Sequence, residues 1–149
     1  MNKIKWCCSK KEGIMLIEPN ENLTERYIDE SNNTLENIGK IDGKWEVIMG
    51  YYACYNALYA IMMKCGIKSE IHDCTIALMK IIPQFTDNDH DYIINLKEDR
   101  ISVQYYLKDK KLDSESKVKD FVLKCKHILD EIDVDAVREE LNKYMGDKN

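Results

Sequence analysis

The sequence predicts an all-α protein, an up-down antiparallel bundle of four to five main helices followed by a short C-terminal helix. Three observations carry this prediction. The chain has 149 residues, the usual size of one domain with its own core, so residues 1–149 are expected to form a single helical domain. Two prolines and six glycines are too few for the many tight turns of a β-sandwich. Apolar residues recur at helical spacing through most of the chain.

The N-terminal segment, residues 1–20, shows no clear period and is predicted to be an irregular arm. Gly13 and Pro19 interrupt it, and its apolar stretch from Ile14 to Ile17 could pack as a short arm or as a first helix. The first secure helix is predicted to begin at Asn22, which forms a capping-box pattern with Glu25, and to end at Gly39.

The central helix is predicted to run from Asp42-Gly43 to Gly66, where a glycine suits a left-handed C-terminal cap. It is apolar on nearly every side, which is typical of a helix at the centre of a bundle. One stripe holds the small residues Gly50, Ala53, Ala57 and Ala60. A second stripe holds Ile48, Tyr52, Tyr55, Tyr59 and Met62, and a third holds Val47, Tyr51, Cys54, Leu58 and Ile61.

Four further helices are predicted from capping residues and apolar spacing. They span Ser69 to Ile82 with Ser69 as N-cap and Pro83 as terminator, Asp87 to Lys108, Asp113 to Ile132, and Asp133 to Gly146. The inward line of the second of these helices contains Ile93, Leu96, Arg100, Val103 and Leu107.

Arg100 therefore lies in an otherwise apolar seam, where burial of an unpaired charge would cost several kcal/mol. Two interpretations stay open at this point. The guanidinium is either paired or reaches water along its stem, or it binds an anion such as a nucleotide phosphate. The tyrosines Tyr51, Tyr52, Tyr55 and Tyr59 could stack bases, although aromatic stripes at helical spacing belong to a core more often.

His72 is predicted in the first turn of a helix, where the dipole disfavours protonation and favours a neutral imidazole that can accept a proton. The three histidines form no i,i+4 metal pair, so no metal site and no cofactor are expected. The six cysteines have no CxxC spacing and are interpreted as buried thiols, with neither a zinc site nor a disulfide framework.

The net charge of −5 argues against nucleic-acid binding by general electrostatic attraction, so any RNA contact must be local. The longest uncharged run, Val47 to Met63, contains Asn56 and four tyrosines and is better explained by a buried helix than by a membrane span. Because no apolar leader precedes the charged residues near Met1, a cytoplasmic location is predicted.

The run from Gly50 to Gly66, GYYACYNALYAIMMKCG, followed by His72, resembles the signature of HEPN-domain proteins, which are small prokaryotic helical bundles. The matching positions are Tyr51, Tyr52 and Ala53, then Gly66, His72, Arg100 and Tyr105-Tyr106. The resemblance covers about Asn22 to Ile132, and the central helix is its most specific part. It implies a helical bundle that forms homodimers and pairs with a small nucleotidyltransferase, often as toxin and antitoxin.

Many family members are metal-independent ribonucleases that use an arginine and a histidine separated by four to six intervening residues. This chain departs from that pattern, because its arginines are Arg26, Arg100 and Arg138 and none has a histidine at that distance. The places after Arg100 hold Tyr105, Tyr106 and Leu107.

Three functions follow as hypotheses. The first is a module that binds a nucleotide, RNA or a nucleotidyltransferase through a groove near Tyr52, Tyr55, His72 and Arg100. The second is a metal-independent ribonuclease in which Arg100 stabilises phosphate charge and His72 or Tyr106 moves the proton. The third is a non-catalytic structural module that dimerises through exposed helix faces.

Overall fold

A computed structural model describes residues 2–41 and 43–146. Over these residues the chain forms seven α-helices, one 3-10 helix and one two-stranded sheet, which confirms the all-α class. The α-helices are α1 (Lys3–Cys8), α2 (Glu21–Ile38), α3 (Lys44–Cys65), α4 (His72–Ala77), α5 (Asp87–Tyr106), α6 (Glu115–Glu131) and α7 (Val134–Met145). The 3-10 helix is Leu78–Ile81, and the strands are β1 (Met15–Leu16) and β2 (Ile67–Lys68).

Helix α3 lies at the centre of the bundle, as predicted from its apolar character. It contacts α2, α5, α6, α4 and α7, and most of its side chains are buried. The small stripe allows α2 to approach closely, since the hydroxyl of Ser31 on α2 donates to the backbone oxygen of Ala53 at 2.7 Å. A short link joins α2 to α3, so the two helices are antiparallel neighbours.

Gly66 ends α3 in the left-handed conformation, with φ 69° and ψ 45°, as predicted for this position. The other end of α3 begins after Gly43, while the predicted first residue, Asp42, lies outside the described residues. A Cβ atom at position 66 would lie 2.4 Å from the backbone oxygen of Ile17 and 2.5 Å from Nη1 of Arg138. Glycine is therefore needed there both for its backbone angle and for space.

The N-terminal segment is more ordered than predicted. Its helix is α1, capped by the side chain of Asn2, whereas the stretch from Ile14 to Ile17 contains strand β1 rather than a helix. Strand β1 pairs antiparallel with β2, so that Met15 lies opposite Lys68 and Leu16 opposite Ile67. The prediction of an irregular arm over residues 1–20 is wrong for these parts.

The start of α2 is also corrected by two residues. Asn20 is the N-cap, and its side chain accepts a hydrogen bond from the backbone N–H of Leu23 at 3.0 Å. The predicted cap, Asn22, lies inside the first turn. Both asparagines suit an N-cap, but Asn20 has the extended backbone of a cap residue, whereas Asn22 is already helical.

The predicted helix from Ser69 to Ile82 is shorter and divided. Ile71 precedes α4, and α4 continues into the 3-10 helix that ends before Pro83. Ser69 does not cap a helix, because its hydroxyl donates to the backbone oxygen of Ile71 and its N–H donates to the hydroxyl of Tyr59. The two residues just before Ser69 belong to strand β2, which explains why α4 begins later than predicted.

Helix α5 begins with a capping box between Thr86 and Asp89 and ends at Tyr106. Its predicted inward line is buried at Ile93, Leu96, Arg100 and Val103. Leu107 is an exception, since it is 76% exposed and has a φ of 54°. The chain leaves the helix at this residue, so the helical period no longer directs its side chain inward.

Helices α6 and α7 are placed close to their predicted positions, with Ser114 and Asp133 as N-caps. Arg138 links α7 to the N-terminal segment and to the end of α3. Its Nη1 donates to the backbone oxygens of Ile17, Cys65 and Gly66 at 2.9 to 3.0 Å.

The cysteines follow the prediction only in part. Cys54, Cys65 and Cys125 are buried thiols, but Cys7 and Cys74 form a disulfide that joins α1 to α4. The pairing was missed because its partners are 67 residues apart and follow no recognised spacing. None of the helices within the described residues has the length and apolar character needed to cross a bilayer.

Candidate functional site

A column of aromatic rings lies between α3 and the start of α4. Tyr51, Tyr52 and Tyr55 are close together on α3 because they are one and four residues apart, which places them on adjacent parts of the helix surface. His72, the first residue of α4, stacks on Tyr55 with ring centres 4.0 Å apart and planes within 11°. It also faces Tyr51 in a parallel arrangement and Tyr52 edge-on.

His72 is held by a hydrogen bond as well as by stacking. Its Nδ1 lies 2.8 Å from the hydroxyl of Tyr51. Burial lowers the pKa of His72 below its usual 6.5, and the positive charges of Arg100 and Lys97 lower it further, while Asp73 opposes them. The ring is therefore mainly neutral at pH 7, because of burial and the two nearby cations rather than the helix dipole from which this was predicted.

Arg100 reaches the same column from α5 and is 7% exposed. Its Cζ lies 4.8 Å from the ring centre of Tyr51 and 5.5 Å from that of Tyr52, a distance at which cation–π attraction operates. Nη1 donates to the hydroxyl of Tyr52 at 3.3 Å and to Oε1 of Gln104 at 3.1 Å.

Two observations distinguish Arg100 from a paired structural arginine. Across residues 2–41 and 43–146, no carboxylate forms an ion pair with its guanidinium. Its Nε is buried without a hydrogen-bond partner in the same residues. The carboxylate of Asp73, the residue after His72, is hydrogen-bonded to Lys97.

The hydroxyls of Tyr51 and Tyr55 stay protonated at neutral pH. Burial raises the pKa of Tyr51 and of Tyr55 far above the usual 10. The hydroxyl of Tyr55 donates to Oγ1 of Thr75 at 3.0 Å. These groups can therefore donate hydrogen bonds and fix ring orientation, but they cannot act as general bases.

A shallow cleft of about 350 Å³ adjoins this column. Tyr55 and His72 form one side of it. The remaining lining consists of the aromatic residues Tyr27 and Tyr59 and the polar residues Lys68, Ser69 and Glu70. The cleft thus places aromatic surface and hydrogen-bonding groups next to His72, while Arg100 is not among the residues that line it.

The structure brings together four of the residues predicted for the site: Tyr52, Tyr55, His72 and Arg100. Tyr106 is not among them. It is 70% exposed and lies six residues after Arg100 on α5, which places it about a third of a turn away around the helix. Its side chain therefore belongs to a different part of the surface.

Two contributors to the site were missed. Tyr51 was predicted as a core residue or a ring that could stack bases and was not placed in the groove, yet its hydroxyl contacts His72. Gln104 was not considered, although its spacing of four residues from Arg100 on one helix is a signal that could have identified it. The Tyr51 contact had no comparable signal, since it depends on how α4 packs against α3.

Among the described side chains, no group of three or more His, Cys, Asp or Glu residues is arranged to hold a metal ion. Comparison of the chain with protein-family models, curated proteins and solved structures finds no match. The resemblance to HEPN domains stays a prediction, and the functional argument rests on the geometry of the site.

Proposed function

We propose that this protein is a HEPN-like module that binds a phosphate-bearing ligand, a nucleotide or an RNA segment, at the surface formed by Tyr52, Tyr55, His72 and Arg100. The observation that carries this proposal is the burial of the Arg100 guanidinium without a carboxylate partner among the described residues.

Burial of a charge without a counter-charge costs several kcal/mol, even after relaxation of the surroundings. Cation–π contact with Tyr51 and Tyr52 offsets about 1–2 kcal/mol of this, and two neutral hydrogen-bond acceptors contribute further. A bound phosphate would supply the missing negative charge. The planar guanidinium suits this task because it can donate two parallel hydrogen bonds to phosphate oxygens.

The neighbouring cleft supports a nucleotide rather than a simple inorganic anion. It begins at His72 and Tyr55 and is lined by tyrosine rings, on which a base could stack. Phosphate binding at Arg100 would involve only a few side chains. It does not depend on a positive charge over the whole surface and is therefore compatible with a net charge of −5.

The resemblance to HEPN domains supports three further parts of the proposal. The module forms a homodimer, it pairs with a small nucleotidyltransferase, and the pair acts as toxin and antitoxin. The cytoplasm is the proposed location. The Cys7–Cys74 bond weighs against that location, because cytosolic thiols are normally kept reduced.

Replacement of Arg100 by methionine tests the binding role. Arg100→Met keeps an unbranched apolar stem and removes the buried charge, so the free energy of unfolding should be unchanged or higher. Affinity for the phosphate ligand should fall at least about tenfold, since hydrogen bonds to charged groups contribute about 1.5–3 kcal/mol. The probes are ATP, pyrophosphate and a labelled single-stranded RNA, measured by calorimetry and fluorescence anisotropy.

Arg26→Met is the matched control, because Arg26 is an exposed arginine on α2. Its affinity should stay within about twofold of the wild type. A wild-type protein that binds none of the probes, or an Arg100→Met variant that binds them normally, would contradict the proposal. A large loss of stability in Arg100→Met would instead show that the arginine is structural.

A further inference from the structure

The hydrogen bond between Tyr51 and His72 determines which nitrogen of the imidazole carries the proton. Tyr51 is fully buried, and the Nδ1 of His72 is the one hydrogen-bond partner of its hydroxyl within the described residues. Two arrangements satisfy the distance of 2.8 Å. Either the hydroxyl donates to an unprotonated Nδ1, or a protonated Nδ1 donates to the hydroxyl oxygen.

The two arrangements differ in what they leave unsatisfied. If Nδ1 carried the proton, the buried hydroxyl hydrogen of Tyr51 would have no acceptor, which costs about 1–3 kcal/mol. If the hydroxyl donates, every buried donor in the pair is satisfied. A phenol hydroxyl is also a better donor than acceptor, while an unprotonated imidazole nitrogen is a good acceptor.

The other nitrogen, Nε2, has access to solvent. His72 is half-buried, Nε2 forms no hydrogen bond with the described residues, and it is not among their buried unpartnered atoms. A proton on Nε2 can therefore be satisfied by water or by a ligand.

The charges around the His72 ring disfavour a second proton, so the ring stays in the neutral form that accepts from Tyr51. Arg100 on α5 and Lys97 on the same helix both disfavour a second proton on His72. Asp73 on α4 opposes them but is hydrogen-bonded to Lys97, and Tyr51 and Tyr55 on α3 are uncharged at neutral pH.

We infer that His72 is a ligand-binding hydrogen-bond donor rather than a general base, and that Tyr51 is the positioning residue that fixes its tautomer. The Nε2–H group donates to a phosphate oxygen beside the Arg100 guanidinium. This inference rests on the proposed function for its ligand, but the tautomer is a property of the protein alone.

The consequence concerns the class of ligand. A neutral N–H donor next to a guanidinium favours a group that only accepts hydrogen bonds, such as a phosphodiester or phosphate oxygen. It cannot remove a proton from an attacking hydroxyl, because the only unprotonated nitrogen of His72 is occupied by Tyr51. The site therefore binds RNA or a nucleotide without using His72 to cleave it.

Long-range ¹H–¹⁵N correlation spectra of labelled protein without ligand test the tautomer. At pH 7, Nε2 of His72 should resonate as a protonated nitrogen and Nδ1 as an unprotonated one. In Tyr51→Phe, the two resonances should move towards each other as the tautomers mix. His127 is exposed, so its ring serves as the internal reference for an imidazole whose two tautomers mix in water. A protonated Nδ1 in the wild type, or no change in Tyr51→Phe, overturns the inference.

A pair of amide variants tests the donor role. Glutamine can place its N–H₂ group near the position of Nε2, whereas asparagine places it near Nδ1, on the side of Tyr51. With pyrophosphate as the probe, His72→Gln should stay within about fivefold of the wild type, and His72→Asn should bind at least about tenfold more weakly. Equal affinities of the two variants overturn the donor role.

The two parts of the experiment separate the possible failures. If the wild type binds none of pyrophosphate, ATP and the single-stranded RNA, the proposed function and the donor role both fail, while the spectra still decide the tautomer. If binding is normal but Nδ1 is protonated, the proposed function stands and the inference about Tyr51 and His72 fails.

Discussion

At Gly66, the end of α3 packs against the backbone of Ile17 and the side chain of Arg138. The backbone of Gly66 is left-handed, and a Cβ atom would come within 2.5 Å of both Ile17 and Arg138. Gly66→Ala should therefore lower the free energy of unfolding by more than about 2 kcal/mol, because backbone strain adds to the displacement of two neighbours. Urea unfolding followed by circular dichroism measures this change.

Gly43→Ala provides the comparison for that variant. Gly43 also has a positive φ, of 65°, but nothing lies within 4 Å of the position its Cβ would take. Its ψ is −136°, outside the left-handed helical region of Gly66, so its substitution should cost about 1–3 kcal/mol through backbone strain alone. A loss of no more than about 2 kcal/mol for Gly66→Ala, which left-handed strain alone explains, would show that its contacts with Ile17 and Arg138 contribute nothing.

Individual site residues differed in how far the sequence could identify them. Arg100 was recognisable because a charge in an apolar seam is unusual, and His72 because it follows the glycine that ends α3. The role of Tyr51 was not recognisable, because a tyrosine in an apolar stripe looks the same whether or not its hydroxyl has a partner. That partner is fixed by the packing of α4, which no local pattern encodes.

At the scale of elements, α2 contacts the backbone of α3 at Ala53 through one buried hydroxyl. Ser31 donates to the backbone oxygen of Ala53 and is fully buried. Ser31→Ala should reduce the free energy of unfolding by about 1 kcal/mol, the usual net contribution of one hydrogen bond. Thermal and urea unfolding measure the loss.

Thr34→Ala is the matched control on the same helix. The hydroxyl of Thr34 donates to the backbone oxygen of Glu30 within α2 and makes no bond to α3. Its removal should change the free energy of unfolding by less than about 0.5 kcal/mol. If both variants lost the same stability, the hydrogen bond between the helices would not be the cause.

Long helices were predicted well and short elements poorly, for one physical reason. Helices α2, α3, α5 and α6 each have 17 or more residues, enough for several turns of apolar spacing. Strands β1 and β2 have two residues each, and α1 and α4 have six, too few to show a period. Their structure comes from contacts between distant parts of the chain.

At the scale of the whole molecule, the disulfide joins two distant parts of the chain. The Cys7–Cys74 bond closes a loop between residues 67 positions apart and so restricts the unfolded chain. Its reduction should lower the free energy of unfolding by about 2–4 kcal/mol. Urea unfolding with and without a phosphine reductant measures this, with the double variant Cys7→Ser and Cys74→Ser as a control that should not respond to reductant.

Thiol titration in denaturant provides an independent check of that bond. Six cysteines less the two bonded ones leave four reactive thiols before reduction and six after it. Six thiols in the protein as purified from the cytoplasm would contradict the bond there and would favour the proposed cytoplasmic location.

The contacts of the N-terminal segment also set an order of events during synthesis. The ribosome makes α1, β1 and Ile17 before their partners, which are Cys74, strand β2 and Arg138. The apolar residues Ile4 and Ile14, both buried in the finished fold, must wait until most of the chain has emerged. This segment is therefore the one that a chaperone would meet exposed for the longest time.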